Sequence, residues 1–322
     1  MPKVEIRPFS DEHLDEAARL LAKRHERHRA FGPLLPERFE QTPAALEELA
    51  TAWRAERASG SAAFRDGRLV GYLVGAPRDS AVWGENVWVD YAGHSVDQAE
   101  DVRDLYAAAA AGWVEEGAVG HHVLVPAFDR ELVNSWFRVG FGQQQAHGLR
   151  AVSADTEVQL PDGFVIRRPT ADDIDSLIDV DLALPRHHQS SPVFSRRTLP
   201  TEEESREEWA RTLAGDEEEV LIGCLDGKPV AAWSLVDGTR SSYFQGLARP
   251  EQSCYLAFAA TLPEIRGSGI GVALTDASFA WAAEAGYTSM GTDWRVTNLL
   301  ASRFWPRRGF RTTFLRLYRH IP

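Results

Sequence analysis

The sequence predicts an α/β (α+β) protein built from two copies of one fold, with two mixed, mostly antiparallel sheets flanked by helices. Three observations support this prediction. Corresponding residues recur along the chain at nearly constant separations. Strand-like apolar runs and helix-like segments follow the same order in both halves, and a glycine-rich turn joins a strand to a helix late in the chain. With 322 residues, the chain is long enough for two domains with separate cores.

Each half opens with a strand that leads into a helix. Apolar alternation predicts strands over residues 4–8 and 164–168. Helical periodicity follows over residues 11–27 and from residue 171 to about 184. The two halves therefore begin in the same way.

A hairpin follows in each half. The dipeptide Asp66-Gly67 lies inside the apolar segment 64–75, and Asp226-Gly227 lies inside the segment 221–236. Asp-Gly between two strand-like runs is a strong hairpin signal, because both turn residues must adopt positive φ. These turns are 160 positions apart, which indicates that the hairpins are equivalent.

The glycine-rich turn Arg266-Gly267-Ser268-Gly269-Ile270-Gly271 lies between a predicted strand and a predicted helix that ends at Gly286. Glycines let the backbone approach a ligand closely, and the amides and dipole of a helix N-terminus attract anions. The turn lacks the lysine of a P-loop, and its glycine spacing differs from that of the dinucleotide fingerprint. It predicts a site for another pyrophosphate-bearing ligand.

A second motif follows, and together the two motifs resemble the GNAT superfamily of acyltransferases. Asn298 is followed by Ala301, by Trp305 seven positions on, and by Gly309-Phe310 eleven and twelve positions on. These spacings, like the Arg-x-x-Gly-x-Gly turn, are similar to those of GNAT enzymes. The resemblance covers residues 164–322 and implies an acyl-CoA site in this half.

The first half repeats the second motif but not the glycine turn. Asp129, Trp136 and Gly140-Phe141 precede their counterparts by 169 positions, but the segment equivalent to the glycine turn is Asp97-Gln98-Ala99-Glu100-Asp101-Val102. Its acids would repel a pyrophosphate. We therefore expect a degenerate GNAT-like domain over residues 1–150, a polar linker over 151–163 and the acyl-CoA domain over 164–322. The first domain is expected to pack on the second in a structural role.

The resemblance also implies which residues bind the cofactor. The fourth and fifth strands of the copy, over residues 254–262 and 288–293, would splay apart to admit the pantetheine arm. Backbone groups of the fourth strand would pair with this arm, the glycine turn would hold the pyrophosphate, and Asn298 and Trp305 would contact the cofactor. The remaining implied cofactor residues are Ala259, Ala260, Thr261, Arg266, Gly267, Ser268, Gly269, Ile270, Gly271 and Val272. The expected co-substrate is acetyl-CoA or another acyl-CoA, without a metal ion.

The sequence departs from the family at Trp305, where many members have a tyrosine that protonates the departing thiolate. An indole N–H donates a hydrogen bond but does not release a proton near neutral pH. Ser302, three residues earlier on the predicted helix, is the first alternative donor. Tyr255, Tyr318 and His320 are further options. Asp293, at the end of the predicted fifth strand, is the candidate general base.

Composition narrows the possible partners. The net charge of −12 argues against nucleic acid and anionic membranes as partners, and weakly favours a cationic acceptor. No apolar run is long enough to span a bilayer, and the two cysteines lack metal-ligand spacing, so we expect a cytoplasmic protein. The resemblance to GNAT enzymes also implies that a loop over residues 185–192, which carries His187-His188, borders the acceptor, whereas its composition favours a pair of surface histidines.

Two functions are compatible with these features. The first is an acetyl-CoA-dependent N-acetyltransferase that acts on a small-molecule or protein amine by direct attack in a ternary complex. The second is a non-catalytic CoA-binding sensor or regulatory module. The sequence has no cysteine placed as an acyl carrier, which favours direct transfer over a ping-pong route.

Overall fold

The computed structural model describes residues 4–195 and 197–322, which form two compact units. The first unit comprises the chain up to His147 together with Gly246–Arg249 and Thr312–Pro322. The second comprises Gly148–Gln245 and Pro250–Arg311. The units therefore differ from the division made on sequence, because the end of the chain belongs to the first unit.

Strands and helices of the first half follow the expected order. They are β1 (Glu5–Pro8), α1 (Leu14–Phe31), α2 (Thr42–Trp53), β2 (Ser59–Arg65), β3 (Arg68–Gly75), α3 (Ser80–Trp83), β4 (Asn86–Val89), β5 (His94–Val96), α4 (Asp101–Glu115), β6 (Gly120–Pro126), α5 (Arg130–Phe137) and β7 (Gly142–Ala151). The strand β7 continues past His147, where the first unit ends.

The second half follows a similar order. Its elements are β8 (Phe164–Arg167), α6 (Ile174–Gln189), α7 (Glu202–Ala214), β9 (Glu218–Leu225), β10 (Lys228–Asp237), β11 (Ser253–Thr261), α8 (Ile270–Glu284), β12 (Ser289–Arg295), α9 (Ala301–Arg307) and β13 (Arg311–His320). Among its described residues it has no counterpart of α3, and the single strand β11 stands where the first half has β4 and β5.

Strands of the first unit form two groups. An antiparallel sheet has the order β1-β2-β3-β5, and its β2–β3 hairpin turns at Asp66-Gly67, both with positive φ. In the other group, β4 pairs with β6 in parallel and β13 pairs with the opposite edge of β6, antiparallel, with Leu317 opposite Val123. The last strand of the chain thus completes the sheet of the first unit.

The second unit contains one sheet with the order β12-β11-β10-β9-β8. The pairs β8–β9, β9–β10 and β10–β11 are antiparallel and β11–β12 is parallel, which agrees with the predicted mixed, mostly antiparallel sheet. Its β9–β10 turn uses Asp226-Gly227 at positive φ, as the dipeptide predicts.

Helices cover both faces of this sheet because successive residues of a strand point to opposite sides. On one face, Ile222 of β9 is buried with Leu177 of α6 and Trp209 of α7. On the other face, a Cβ at Gly223 would lie 2.6 Å from the Cγ1 atom of Ile270, so glycine lets α8 lie close to the sheet. The start of α8 is therefore fixed beside the strands that carry the site.

Helix α6 is longer than predicted. It continues to Gln189 and includes Pro185, so the expectation of a loop beginning at residue 185 is wrong for residues 185–189. His187 and His188 lie on the last turn of this helix instead of in a loop. This difference sets the direction in which both imidazoles project.

Candidate functional site

The parallel strands β11 and β12 pair along only part of their length. Pairing runs from Ser253↔Ser289 to Leu256↔Thr292, where the Thr292 hydroxyl also donates to the Leu256 carbonyl over 3.0 Å. Beyond this point β11 continues to Thr261, paired with β10 on its other side. The edge of residues 257–261 that faces away from β10 therefore has backbone groups available to a ligand.

The glycine turn lies at the start of α8. Gly267 and Gly269 have φ values of 87° and 93°, and no heavy atom would lie within 4 Å of a Cβ at Gly267. Among the residues that the structure describes, the amides of Gly267, Gly269 and Gly271 donate no hydrogen bond. Unpaired amides at the positive end of a 15-residue helix suit a pyrophosphate, so the turn fits the group that the sequence implies.

Asn298 holds the beginning of α9. Its side-chain oxygen accepts hydrogen bonds from the amides of Leu300 and Ala301, at 3.1 and 3.2 Å. The same oxygen accepts a hydrogen bond from Nε2 of His187 at 3.2 Å, and the side-chain NH₂ donates to Nε2 of His188 at 3.3 Å. Asn298 thereby connects α9 to the last turn of α6.

One cleft of about 670 Å³ joins these features. All the residues that the sequence assigns to the cofactor line it, and so does His187. The predicted residues in its wall are Ala259, Ala260, Thr261, Arg266, Gly267, Ser268, Gly269, Ile270, Gly271, Val272, Asn298 and Trp305. This volume lies in the range of ligand pockets.

Trp305 contributes an apolar wall. Its side chain is buried, and its ring packs edge-on against Phe304 and Phe310, with centroids 4.9 and 5.5 Å away. Its position in the cleft is compatible with packing on a cofactor, and its chemistry excludes it as a proton donor.

The two candidate catalytic residues lie on β12 and α9. Asp293 is half-buried on β12 and accepts a hydrogen bond from the hydroxyl of Tyr255 on β11. Ser302 is half-buried in α9, where its amide donates to the Asn298 carbonyl over 2.9 Å. Among the described residues, neither Asp293 nor Ser302 belongs to the cleft wall itself.

The structure shows an environment of His188 that the sequence did not reveal. Burial, together with the charges of Arg295 and Arg197, lowers its pKa to about 4. The neutral ring accepts the Asn298 hydrogen bond at Nε2, which places its proton on Nδ1. The sequence gives no local signal for this environment, because proline usually ends a helix and α6 continues past Pro185.

The equivalent turn of the first unit is closed by ion pairs. Asp97 pairs with Arg68 and Asp101 pairs with Arg65, both at 2.8 Å, and Glu100 pairs with Arg138. The sequence predicts that these acids repel a pyrophosphate. In the structure, each of them is already paired with an arginine. Arginine side chains cover the turn where glycines lie open in the second unit.

A histidine fills the equivalent of the strand opening in the first unit. The pair Leu73↔His94 corresponds to Trp233↔Ala259, so His94 stands at the position of Ala259. Its Nε2 atom lies 3.1 Å from the Leu124 carbonyl of β6, and the buried Arg24 guanidinium donates to the His94 carbonyl. Side chains thus occupy the space that a pantetheine arm would need.

Other features of the described residues bear on the chemistry. No group of three or more His, Cys, Asp or Glu side chains there could hold a metal ion. In the same part of the chain, no helix has the length and apolar character needed to cross a bilayer. Both cysteines are buried and free, and burial raises the pKa of Cys254 to about 12.

Comparisons with known proteins agree with this geometry. Residues 184–310 match the profile of the acetyltransferase (GNAT) family. No curated protein matches the sequence.

Two solved structures are similar over nearly the whole chain. A GCN5-related N-acetyltransferase from Sphaerobacter thermophilus is 15% identical, with a TM-score of 0.58, over 98% of this chain and 95% of that one. A tandem GNAT protein from the clavulanic acid biosynthesis pathway is 16% identical, with a TM-score of 0.51, over 99% of this chain and 98% of that one. Residues 184–310 therefore match the GNAT acetyltransferase family, and the chain as a whole has the tandem GNAT fold.

Proposed function

We propose that the second unit is an acetyl-CoA-dependent N-acetyltransferase that transfers the acyl group directly to a primary amine. The observation that carries this proposal is the continuity of the cleft. It leads from the unpaired amides of the glycine turn, past the available edge of β11, to Asn298 beside the end of β12. That path suits a long thioester whose reactive end must meet an amine near Asp293.

Binding would involve backbone groups more than side chains. The amides of Gly267, Gly269 and Gly271 suit the pyrophosphate, and the edge of residues 259–261 suits the amide groups of pantetheine. Arg266 adds a positive charge to the same wall. These contacts hold the thioester in place without entering the reaction.

In the reaction, the nitrogen of the amine attacks the thioester carbonyl carbon, the C–N bond forms and the C–S bond breaks. An ammonium acceptor must lose two protons. One passes to Asp293 and then to solvent, and the other ends on the leaving thiolate. The half-buried Asp293 carboxylate, oriented by Tyr255, suits the role of base. Ser302 remains the first candidate for the donor, and a thiol pKa near 8.5 eases departure of the thiolate.

The state of the cysteines supports direct transfer. A ping-pong route needs a thiolate that can accept the acyl group, but burial raises the pKa of both cysteines. The amine is therefore the first nucleophile to meet the thioester.

A CoA-binding sensor is the second candidate, favoured by the tryptophan at position 305. It predicts the same binding of acetyl-CoA but no turnover.

The test is thiol release from acetyl-CoA, followed with a thiol-reactive dye. The acceptors are polyamines, amino acids, aminoglycosides and a lysine peptide. Gly269→Glu places an acid in the turn and should abolish binding, whereas Gly227→Glu, also at positive φ but in the β9–β10 turn, should not. Turnover that Gly269→Glu abolishes supports the enzyme. Calorimetric binding without turnover supports the sensor, and no binding by the wild-type protein overturns both.

A further inference from the structure

The arm of β12 beyond its pairing with β11 carries two charged side chains on one face. Tyr255 pairs with Gly291 in the parallel register, so alternation places Asp293 and Arg295 on the same side of the sheet as Tyr255. The hydrogen bond from Tyr255 to Asp293 confirms this side. Residues two apart on a strand are separated by about 6–7 Å. Two neighbouring groups of one small ligand can therefore reach both side chains.

Aromatic rings form the wall of this face. Phe244 stacks on Tyr255 with ring centroids 5.3 Å apart, and it lies over Gly291, where a Cβ would be 2.6 Å from its ring. The rings of Phe244 and Tyr255 make this part of the face apolar, so polar groups of a ligand would meet the charges in a partly apolar setting.

The charges around Arg295 are unbalanced. Its guanidinium is half-buried, and within the described ranges it makes no hydrogen bond and no salt bridge. Burial lowers its pKa, and the positive charge of Arg197 lowers the pKa further, whereas Asp293 raises it. Tyr243 raises the pKa of Arg295 as well, but among the described residues Asp293 is the only carboxylate that does so, and this carboxylate accepts the Tyr255 hydroxyl.

The neighbouring histidines do not balance the positive charge of Arg295. His188 is neutral near pH 7, and its Nε2 is taken by Asn298. Arg295 begins the turn that leads to Asn298, whose amide donates to the Arg295 carbonyl over 3.1 Å. The excess positive charge therefore lies beside the end of the cofactor cleft and beside the candidate base.

We propose that the acceptor is an amine that also carries an anionic group, a carboxylate or a phosphate, which binds the Arg295 guanidinium while its amine lies at Asp293. This inference rests on the proposed acyl transfer for the role of the amine. The binding of the anion to Arg295 is independent of the proposed acyl transfer. This inference replaces the cationic acceptor that the overall negative charge suggested, because local charge decides what a site binds.

The test uses amines in matched pairs that differ only in the anion. They are L-leucine and L-leucinamide, L-phenylalanine and L-phenylalaninamide, O-phosphoethanolamine and ethanolamine, and glucosamine 6-phosphate and glucosamine. Each is titrated by calorimetry into the full chain saturated with CoA, and each is assayed for acetyl transfer. The amino acid pairs and the phosphate pairs distinguish the two kinds of anion.

We expect at least one anionic member to bind about tenfold or more tightly than its neutral partner. Arg295→Gln should remove this preference, and Arg295→Lys should restore part of it. The CoA affinity and the melting temperature should stay unchanged in both variants, because among the described residues the Arg295 guanidinium has no hydrogen bond or salt bridge to lose. Arg266→Gln, in the cofactor cleft, should weaken CoA binding without changing the preference for the anion.

Equal binding of the members of every pair, preference for the neutral members, or no effect of Arg295→Gln would each overturn the proposal. Failure of acetyl transfer with preserved anion binding would count against the enzyme and leave the anion site supported. Acetyl transfer to the neutral amines alone would support the enzyme and overturn the anion site.

Discussion

Asn298 donates a hydrogen bond from its side-chain amide to Nε2 of His188 over 3.3 Å. The residue that caps α9 therefore also sets the tautomer of an imidazole on α6. Asn298→Asp should keep the cap, because Asp129 caps α5 in the first unit by accepting from the Leu132 amide at 2.9 Å.

The same variant should change the protonation of His188. An aspartate cannot donate to Nε2 and instead stabilises a protonated ring, so the pKa of His188 should rise by about one unit or more. NMR titration of the histidine side chains measures this change, and circular dichroism checks the fold. An unchanged titration would contradict the tautomer assigned to His188.

Gly267 and Gly227 provide a matched pair of substitutions. Both have positive φ, and at both a Cβ would meet no atom within 4 Å. Alanine should cost each about 1–2 kcal/mol of stability through left-handed backbone strain. Only Gly267→Ala should weaken acetyl-CoA binding, by about tenfold, since only its Cβ enters the cleft. Similar CoA affinities for both variants in calorimetry would count against the pyrophosphate site.

Asp293→Asn tests the candidate base. The amide keeps the size of the side chain but cannot take a proton, so kcat should fall by about 100-fold or more while CoA affinity is unchanged. Tyr255→Phe removes the hydroxyl that orients Asp293 and should cause a smaller loss. Steady-state kinetics with the best acceptor gives both values. An unaltered kcat in Asp293→Asn would remove Asp293 from the mechanism.

Buried histidines should make the first unit sensitive to mild acid. Burial lowers the pKa of His25 to about 4 and the pKa values of His28 and His94 to about 3. Unfolded histidines have a pKa near 6.5, so between pH 6.5 and about 4 the unfolded chain binds more protons. The free energy of unfolding should therefore fall as pH falls through this window, by up to about 1.4 kcal/mol per pH unit for each histidine.

Urea unfolding at pH 7.5, 6.5, 5.5 and 4.5 measures this dependence. It should be shallow above pH 6.5 and steep below it. Constant stability down to pH 5 would show that these rings are not held neutral.

One molecule of CoA should bind per chain. The turn of the first unit is closed by arginine–carboxylate pairs, and His94 stands in place of Ala259. Calorimetric titration should give a stoichiometry near one, and Gly269→Glu should reduce it to zero. A residual site in that variant would mean that the first unit binds CoA.

Local sequence was sufficient for the parts of the site that lie close together in the chain. The glycine turn depends on spacings within a few residues, so its motif located it at the start of a helix. The second motif marked Asn298 but did not predict the hydrogen bonds by which its side chain caps α9. The Tyr255–Asp293 hydrogen bond depends on the register of two strands separated by a helix, which local pattern does not encode. Similarly, the arginines that neutralise Asp97 and Asp101 come from distant segments of the chain.

Because the two halves repeat one pattern, the sequence could not predict which unit β13 belongs to. Strands β7 and β13 occupy equivalent places in the two copies, so their local patterns give no reason to assign β13 to the first unit. Its pairing with β6 follows from the tertiary structure alone. Likewise, Pro185 is a usual stop signal for a helix, but α6 continues past it to place His187 against Asn298.

The pairing of β13 with β6 has a consequence for biosynthesis. During translation, residues 120–126 leave the ribosome long before residues 311–320, so the edge of β6 stays uncovered until the second unit has been made. The pairing that covers this edge is therefore formed last, although β6 itself is made early. A chain truncated before residue 311 would leave the edge of β6 unpaired and open to pairing with another chain.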